Sequence, residues 1–430
     1  MTKDSTIDAF IDASPTSYHA VANMAQLLES AGFARQFEAD PFDCSPGGHF
    51  IIRDGAIIAY RLPDQTGPLA QTRFQIVGAH TDSPTFKLKP SPEHRAAGWA
   101  QVGMEIYGGP LLNSWLDREL GLAGRVVLAD GRVELVKTPA WLIIPQLAPH
   151  LDRSVNQALT LDPQRQLMPV YGLADRQADQ LGLLAGVAEL IGVAPDSIIA
   201  HDLFAYPTCS AGCFGLAGEF LAASRLDNLS SVFPGLQAMA QVQPRPGVIP
   251  ILACFDHEEV GSMTRSGAQG PFLTDVIERI GLGLGWDEDS RHQVAARSMV
   301  VSSDAGHSVN PNHAERHDPD QRPLMGHGPM LKLNASQHYA SDAIGEAVWQ
   351  RVCAQAGVPV QTFVSNNAVS CGTTIGPLTA GRSGLATVDI GLPILAMHSS
   401  REMAALSDLD DLQRALTVFL AGDYDFSPAF

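Results

Sequence analysis

The stretch from Val248 to Gly261 constrains the fold of this chain more than any other. A mostly aliphatic run of strand length, Val248–Phe255, ends in four titratable side chains, Asp-His-Glu-Glu at positions 256–259. Adjacent carboxylates repel each other, and burying either one costs free energy unless a cation or a proton compensates. The pattern indicates a metal or general-base site at the end of a strand. The alternative is a solvated turn after a buried strand.

Composition describes a globular protein with an acidic charge balance. The chain has 430 residues, of which 45% are hydrophobic, so it is long enough for a large core and more than one domain. A net charge of −18 disfavours nucleic acid and anionic membranes as partners, and an acidic substrate would need a local basic pocket. The six scattered cysteines form no CxxC pair. With no apolar signal core and no membrane-length apolar run, we expect a cytoplasmic location.

Two further apolar runs end in side chains that bind metals. Phe74–Ala79 leads into His80, and Asp82 follows two residues later. In such a His-x-Asp arrangement the imidazole can bind a metal while the carboxylate orients it. Ser298–Ser303 leads in the same way into Asp304.

The same pattern extends to two more segments. A buried strand region near the end of the chain terminates at His398, and Asp227 lies at the start of a predicted helix, where its alternative role is an N-cap. Ligands gather at the carboxyl ends of strands in an open α/β sheet. We therefore expect one site built from six residues: His80, Asp227, Glu258, Glu259, Asp304 and His398.

This set of side chains suits two metal ions bound by nitrogen and oxygen. Imidazole and carboxylate ligation without thiolate fits zinc, with cobalt or manganese as substitutes. Two ions about 3.5–4 Å apart can polarise a carbonyl and activate a bridging water. Neighbouring side chains on a strand point to opposite sides, so one of the two glutamates can face an ion while the other reaches the water.

The segments around these residues predict an interrupted α/β domain. Residues 5–31 indicate two helices broken at 14–16, residues 48–62 a hairpin that turns at 54–55, and residues 408–420 a final helix. Residues 89–222 alternate like antiparallel strands and are interrupted by prolines. We expect a catalytic domain of residues 1–88 and 223–430, with an inserted domain at 89–222. His150 lies in an apolar part of the insertion, where a structural role is the simplest interpretation.

Six motifs together resemble the M18 family of metallo-aminopeptidases, the aspartyl aminopeptidases. They lie in order along nearly the whole chain: Gly78-Ala-His-Thr-Asp-Ser-Pro, Ser224-Arg-Leu-Asp-Asn, Asp256-His-Glu-Glu-Val-Gly, Ser303-Asp, Cys371-Gly-Thr-Thr-Ile-Gly-Pro and Ala396-Met-His-Ser-Ser-Arg-Glu. The resemblance implies an α/β/α sandwich metallopeptidase domain with an inserted, mainly β dimerisation domain. It also implies hydrolysis of the N-terminal peptide bond by a metal-bridged hydroxide.

The resemblance also implies roles for the metal-site residues. Two zinc ions per subunit would be bound, with His80 and Glu259 on different ions and Asp227 bridging them. Asp304 and His398 would complete the two coordination sets. Glu258 would be the general base, and Asp82 would orient His80.

Substrate and assembly expectations follow from the same resemblance. The substrates would be peptides with an N-terminal Asp or Glu, whose carboxylate Lys332 would bind, with His307 beside the pocket. Dimers would assemble into a tetrahedral dodecamer. There the residue matching His150 reaches the active site of a neighbouring subunit, a role that the residues alone do not suggest.

Other functions stay open on the sequence. A broad-specificity aminopeptidase, a carboxypeptidase-like enzyme or an N-acyl amino acid deacylase would use the same two-metal scaffold, and a silent metal-binding assembly scaffold is a rival of another class. The chain also departs from the family pattern at Asn366–Ala368, Pro207 and Asn310, none of them a proposed metal ligand. These departures concern the preference for the substrate's N-terminal side chain and the assembly of subunits more than they concern hydrolysis.

Overall fold

The computed structural model describes residues 6–64, 67–174 and 182–425. Its α-helices are α1 Ile7–Ala13, α2 Ser17–Ser30, α3 Leu183–Leu190, α4 Leu226–Gln241, α5 Phe272–Gly283, α6 Glu288–Ala296, α7 Ala343–Ala356, α8 Ile375–Ser383 and α9 Leu406–Ala421. The strands of the first half are β1 Phe33–Gln36, β2 Gly47–Arg53, β3 Ala56–Leu62, β4 Arg73–His80, β5 Thr85–Ala96, β6 Trp99–Tyr107, β7 Leu120–Leu128, β8 Val133–Lys137, β9 Val170–Leu173 and β10 Ile198–Pro207. Those of the second half are β11 Gly212–Phe214, β12 Phe220–Ala223, β13 Val248–Phe255, β14 Met299–Ser303, β15 Gly306–His307, β16 Met330–Leu333, β17 Gln361–Val364, β18 Ala386–Gly391, β19 Pro393–Ile394 and β20 Glu402–Ala405.

A nine-stranded sheet forms the centre of the fold. Its strand order is β1-β2-β3-β13-β4-β14-β18-β16-β17. β4 lies between β13 and β14 and is parallel to both, and β14 is parallel to β18. Phe255 at the end of β13 pairs with His80 at the end of β4. The carboxyl ends of these strands therefore meet at one edge of the sheet, as the sequence predicts.

Helices cover both faces of this sheet. Along β4, Val77 and Ala79 pack into one core with α1, α2, α4, α7 and α9. Phe74 and Ile76 point the other way, into a second core with α5, α6 and α8. Because both faces are covered, the central strands are apolar on both sides. This arrangement is the expected α/β/α sandwich.

A second, six-stranded sheet lies between residues 85 and 207, with order β8-β7-β10-β5-β6-β9. Its strand pairs are antiparallel, and it has its own apolar core, which includes Phe86, Trp115 and Leu122. Most of the sheet falls within the predicted insertion, although β5 begins before residue 89. The later strands β11 and β12 form a separate small sheet with β20. The division of the chain into two domains stays a prediction.

Several local predictions are confirmed. The chain begins with α1 and α2, which are separated at residues 14–16, and β2 and β3 form a hairpin through a turn at Asp54–Gly55. The last predicted helix is α9. Within the described ranges, no helix combines the length and the apolar character needed to cross a membrane.

The segment 310–329 contains one short 3₁₀ turn, Ala314–Arg316, and is held by the last helix. The carboxylate of Asp408 in α9 is 1% exposed and accepts hydrogen bonds from the backbone N–H groups of Gly326 (2.7 Å) and Gly328 (2.8 Å). Burial raises the pKa of Asp408 to about 6. Asp408 therefore serves as an example of a buried carboxylate with a structural role.

Candidate metal centre

The backbone around Glu258 and Glu259 differs from the prediction. β13 ends at Phe255, His257 adopts a left-handed conformation (φ 62°), and Glu258–Val260 forms a 3₁₀ turn. The expectation that strand alternation separates the two glutamates is therefore wrong. The reason is that the left-handed residue turns the chain out of the sheet before the glutamates begin, so a helical turn sets their directions.

Asp227 is likewise not a helix N-cap, the alternative role considered for it. Arg225 precedes α4 in a left-handed conformation, no side chain caps this helix end, and Asp227 and Asn228 have non-helical backbone angles joined by a cis peptide bond. The side chain of Asn228 donates to the carbonyl of Ser303 (2.9 Å) and accepts from the N–H of Ala305 (3.2 Å). Asn228 therefore fixes the backbone on either side of Asp304.

The first half of the site surrounds the buried imidazole of His80. Its Nε2 atom lies 3.2 Å from Oδ1 of Asp227 and 3.2 Å from Oδ1 of Asp304. Its Nδ1 atom lies 3.1 Å from the backbone carbonyl of Asp82 and 3.5 Å from that residue's Oδ1. Burial lowers the pKa of His80, but the three carboxylates outweigh this effect and raise the pKa well above its ordinary value. Nε2 therefore faces two carboxylates while Nδ1 is directed toward Asp82.

The second half surrounds His398. Its Nε2 atom lies 3.3 Å from Oδ2 of Asp227 and 3.5 Å from Oε2 of Glu259, and its Nδ1 atom lies 3.0 Å from the carbonyl of Gly109. His398 does not directly end a strand, since β19 ends at Ile394 and a turn follows. Asp227 thus contacts one imidazole with each of its two oxygens.

The buried carboxylates around His80 and His398 require a positive charge nearby. One ligand atom each from His80, Asp227 and Glu259 all lie within 4.8 Å of one another. Among the residues that the structure describes, Oδ1 of Asp227 and Oε1 of Glu259 are buried and have no hydrogen-bond partner. Burial, and next to it the charge of Asp227, raises the pKa of Glu259 well above its ordinary value. Orphaned carboxylate oxygens beside an imidazole fit a zinc ion.

Asp82 supports the backbone of the two glutamates as well as His80. It is 5% exposed and accepts hydrogen bonds from the N–H groups of Glu258 (3.0 Å) and Glu259 (3.1 Å). Its Oδ2 atom also accepts a hydrogen bond from the hydroxyl of Tyr107 (2.8 Å), which lies in the second sheet. Asp82 therefore connects β4, the 3₁₀ turn and the second sheet.

Glu402 forms a corresponding connection on the other side. It is 2% exposed, and its carboxylate accepts hydrogen bonds from the N–H groups of Asp227 (3.1 Å) and His398 (2.7 Å). Burial, and next to it the charge of Asp227, raises the pKa of Glu402 to about 8.

The proposed general base lies beside this group. Burial raises the pKa of Glu258 to about 8, and Asp304, Asp227 and Asp82 add to the rise while His80 opposes it. Among the described residues, none forms a hydrogen bond with its side chain. Its carboxylate is therefore available to a water or a substrate.

The residues expected to bind substrate lie around Asp304. Lys332 in β16 is 2% exposed, its Nζ atom donates to the carbonyl of Ala305 (2.8 Å), and it lies over the ring of Tyr339. His307 is exposed to solvent, and partial desolvation, with repulsion from Lys332, lowers its pKa.

His150 does not join this group within the protomer. It is exposed in a turn near the middle of the predicted insertion. No hydrogen bond or ion pair within the described ranges connects it to the metal-binding group.

Sequence reasoning assigned no role to Tyr107, Asn228 or Glu402. Asn228 and Glu402 stand inside motifs that were already singled out, beside Asp227 and near His398, so their position was the available signal. Tyr107 precedes Gly108, where a Cβ atom would lie 2.9 Å from Cβ of Glu259. The Gly-Gly pair at 108–109 was therefore the only sign that this loop approaches the site.

An α/β sheet that gathers imidazoles and buried carboxylates at one edge is typical of a metal-dependent enzyme of the α/β class. The chain belongs to the M18 peptidase family, since the family model described as "Aminopeptidase I zinc metalloprotease (M18)" matches residues 10–420. It is a metallo-aminopeptidase, an exopeptidase that hydrolyses peptide bonds.

The chain is also similar to individual proteins and solved structures. The chain is 48% identical over 416 residues to a protein of Streptomyces coelicolor named "Probable M18 family aminopeptidase 2", and the match covers 96% of each chain. It resembles the solved structure titled "Cryo-EM structure of the Ape4 and Nbr1 complex" with TM-score 0.93 and 33% identity, over 99% of this chain and 87% of that one. It also resembles a structure titled as the S. cerevisiae mApe1 dodecamer, with TM-score 0.83 and 27% identity, over 97% of each chain.

Replacing Asp227 with Ala is expected to remove bound zinc, because both halves of the group lose a carboxylate oxygen. Elemental analysis of protein purified with zinc and then desalted measures this directly. Asp408→Ala is the matched control, because it removes a buried carboxylate distant from the site and should leave zinc content unchanged. Full zinc occupancy in Asp227→Ala would contradict the ligand assignment.

Proposed function

We propose that this aminopeptidase binds two zinc ions and removes acidic residues from the N-termini of peptides. The observation that carries the two-ion proposal is the position of Asp227. Its Oδ1 atom lies beside His80, which also contacts Asp304, and its Oδ2 atom lies beside His398, which also contacts Glu259. A bridging carboxylate between two sets of nitrogen and oxygen ligands is the arrangement that a two-metal site requires.

Glu258 is the proposed general base. When bound, zinc lowers the pKa of water and polarises a carbonyl oxygen. Glu258 follows a left-handed residue, precedes the ligand Glu259, and has its backbone N–H held by Asp82. Its carboxylate would take a proton from the attacking water and deliver it to the nitrogen of the leaving peptide. Asp82 holds the backbone N–H groups of Glu258 and Glu259, and this favours a fixed position for the Glu258 side chain.

Glu258→Gln is expected to lower kcat by about 10²–10⁴-fold, the usual contribution of general-base catalysis, because an amide cannot accept the proton. Zinc content measured by elemental analysis should stay at the wild-type level. Glu219→Gln, a change at an exposed glutamate, should leave kcat unchanged. Wild-type turnover by purified Glu258→Gln protein would show that another group is the base.

The proposed preference for acidic residues rests on Lys332. Its ammonium group is buried, and no carboxylate of the described residues forms an ion pair with it. A buried cation is stable only when a partner compensates it, and a substrate carboxylate would supply that partner. Because the whole chain carries a charge of −18, such a local cation is needed to attract an acidic side chain.

A broad-specificity aminopeptidase is the alternative. The hydrogen bond from Lys332 to the carbonyl of Ala305 favours it, because that bond gives the ammonium group a structural role. Asp304 directly precedes Ala305, so Lys332 would then support the metal site rather than the substrate.

Lys332→Met is expected to reduce kcat/KM for an N-terminal aspartyl substrate about 10–100-fold, since a hydrogen bond to a charged group contributes about 1.5–3 kcal/mol. The kcat/KM for alanyl and leucyl substrates should change little. A panel of Asp-, Glu-, Ala- and Leu-naphthylamides, with N-acetyl-aspartate for deacylase activity, measures the difference. Lys89→Met, in the second sheet, is the matched control. Equal losses on acidic and neutral substrates would support the alternative.

We also propose that the chain self-associates through an inserted domain at residues 89–222, and that dimers assemble into a tetrahedral dodecamer. The similar S. cerevisiae structure is titled a dodecamer. Leu147 and Leu151, on either side of His150, are 56% and 76% exposed, and exposed apolar side chains of this kind are typical of interaction surfaces. In the assembly, His150 would reach the site of a neighbouring subunit and stabilise the tetrahedral intermediate.

This role of His150 predicts complementation between two inactive variants. His150→Ala subunits retain the metal ligands and Glu258, whereas Glu258→Gln subunits retain His150. Mixed assemblies, co-expressed with two different tags and purified through both, should be markedly more active than either variant alone. If the mixed assemblies are no more active than the average of the two variants, His150 does not act between subunits.

A further inference from the structure

The carboxylate of Glu402 joins two parts of the chain that are far apart in sequence. Glu402 begins β20 and accepts one backbone hydrogen bond with each oxygen. Oε2 accepts from the N–H of Asp227 at 3.1 Å, and Oε1 accepts from the N–H of His398 at 2.7 Å. With 2% exposure, the side chain is shielded from water that could replace either bond.

Both segments held by Glu402 have unusual backbone conformations. Arg225, two residues before Asp227, is left-handed (φ 64°), and so are Ala396 (φ 56°) and His398 itself (φ 65°). Non-glycine residues adopt this conformation rarely, and they keep it only where the surrounding structure holds them. The hydrogen bonds that the buried carboxylate accepts from both segments supply such a restraint.

Glu402 also has a cationic neighbour inside the protein, Arg225. The guanidinium of Arg225 is buried and is attracted to the carboxylates of Asp12 and Glu402. It donates a hydrogen bond to the carbonyl of Ile11 (3.1 Å). Glu402 therefore has a cationic neighbour and two N–H donors within the protein.

We propose that Glu402 is a positioning residue that fixes the distance between Asp227 and His398 before metal binds. Asp82 shows the same arrangement at the other side of the site, where one buried carboxylate accepts the N–H groups of Glu258 and Glu259. Each carboxylate thereby holds two residues of the site at a set separation. Asp82 holds the consecutive residues Glu258 and Glu259, and Glu402 holds Asp227 and His398, which are distant in sequence. The inference rests on the proposed ligand roles of Asp227 and His398.

Glu402→Gln tests the proposal, because an amide has the same shape but only one acceptor atom for two N–H donors. Zinc affinity, measured by competition with a chelator, should fall about 10–100-fold, the usual effect of losing a residue that orients metal ligands. The melting temperature of the metal-free variant should remain close to that of the metal-free wild type. Glu219→Gln is the matched control, since Glu219 accepts the N–H of Ala217 on the surface near β12.

Unchanged zinc affinity in folded Glu402→Gln would overturn the proposal and leave Glu402 a purely structural residue. If that variant does not fold, hydrogen exchange of the metal-free wild type decides, since the N–H groups of Asp227 and His398 should be protected without metal. Rapid exchange at both would overturn the proposal. The Asp227→Ala variant distinguishes a failure of this proposal from a failure of the proposed metal site. Wild-type zinc affinity in Asp227→Ala would contradict the metal site. A loss of zinc affinity in Asp227→Ala, with no loss in Glu402→Gln, would contradict only the role of Glu402.

Discussion

The structure depends on placing several carboxylates in a nearly dry site at one edge of a sheet. Asp227, Asp304 and Glu259 lie around two imidazoles, and two of their oxygens have no hydrogen-bond partner in the described part of the chain. Such a group is costly unless positive charge lies among its members. A bound zinc ion would supply that charge in a metallo-aminopeptidase. The cost of gathering these carboxylates and their affinity for the ion have the same physical origin.

The order of the strands brings the proposed metal ligands together, and buried carboxylates then fix the backbone of these residues. β13, β4 and β14 are neighbours and parallel, so their carboxyl ends coincide. Asp82 and Glu402 each hold two backbone N–H groups of the site. The second sheet takes part through Tyr107, which donates to Asp82, and through Gly109, whose carbonyl lies beside His398. The site is therefore not confined to the segments that carry the ligands.

Much of this arrangement could be predicted because the central strands are strongly apolar and end abruptly in polar residues. That pattern predicted the strands β4, β13 and β14, and it predicted that His80 and Asp304 lie at the same edge of the sheet. The path of the chain beyond the strands was not predictable in the same way. The left-handed conformation of His257 placed Glu258 and Glu259 in a 3₁₀ turn instead of a strand, and no local pattern signals a left-handed histidine. Tyr107 and Glu402 act through hydrogen bonds between distant segments, which hydrophobic periodicity does not record.

The central claim is that Asp227 bridges two zinc ions. Anomalous diffraction from crystals grown with zinc, recorded on both sides of the zinc absorption edge, tests it most directly. Two anomalous peaks about 3.5–4 Å apart are expected, one between His80 and Asp304 and one between His398 and Glu259, each within bonding distance of Asp227. A single peak, or two peaks that do not share Asp227, would contradict the account.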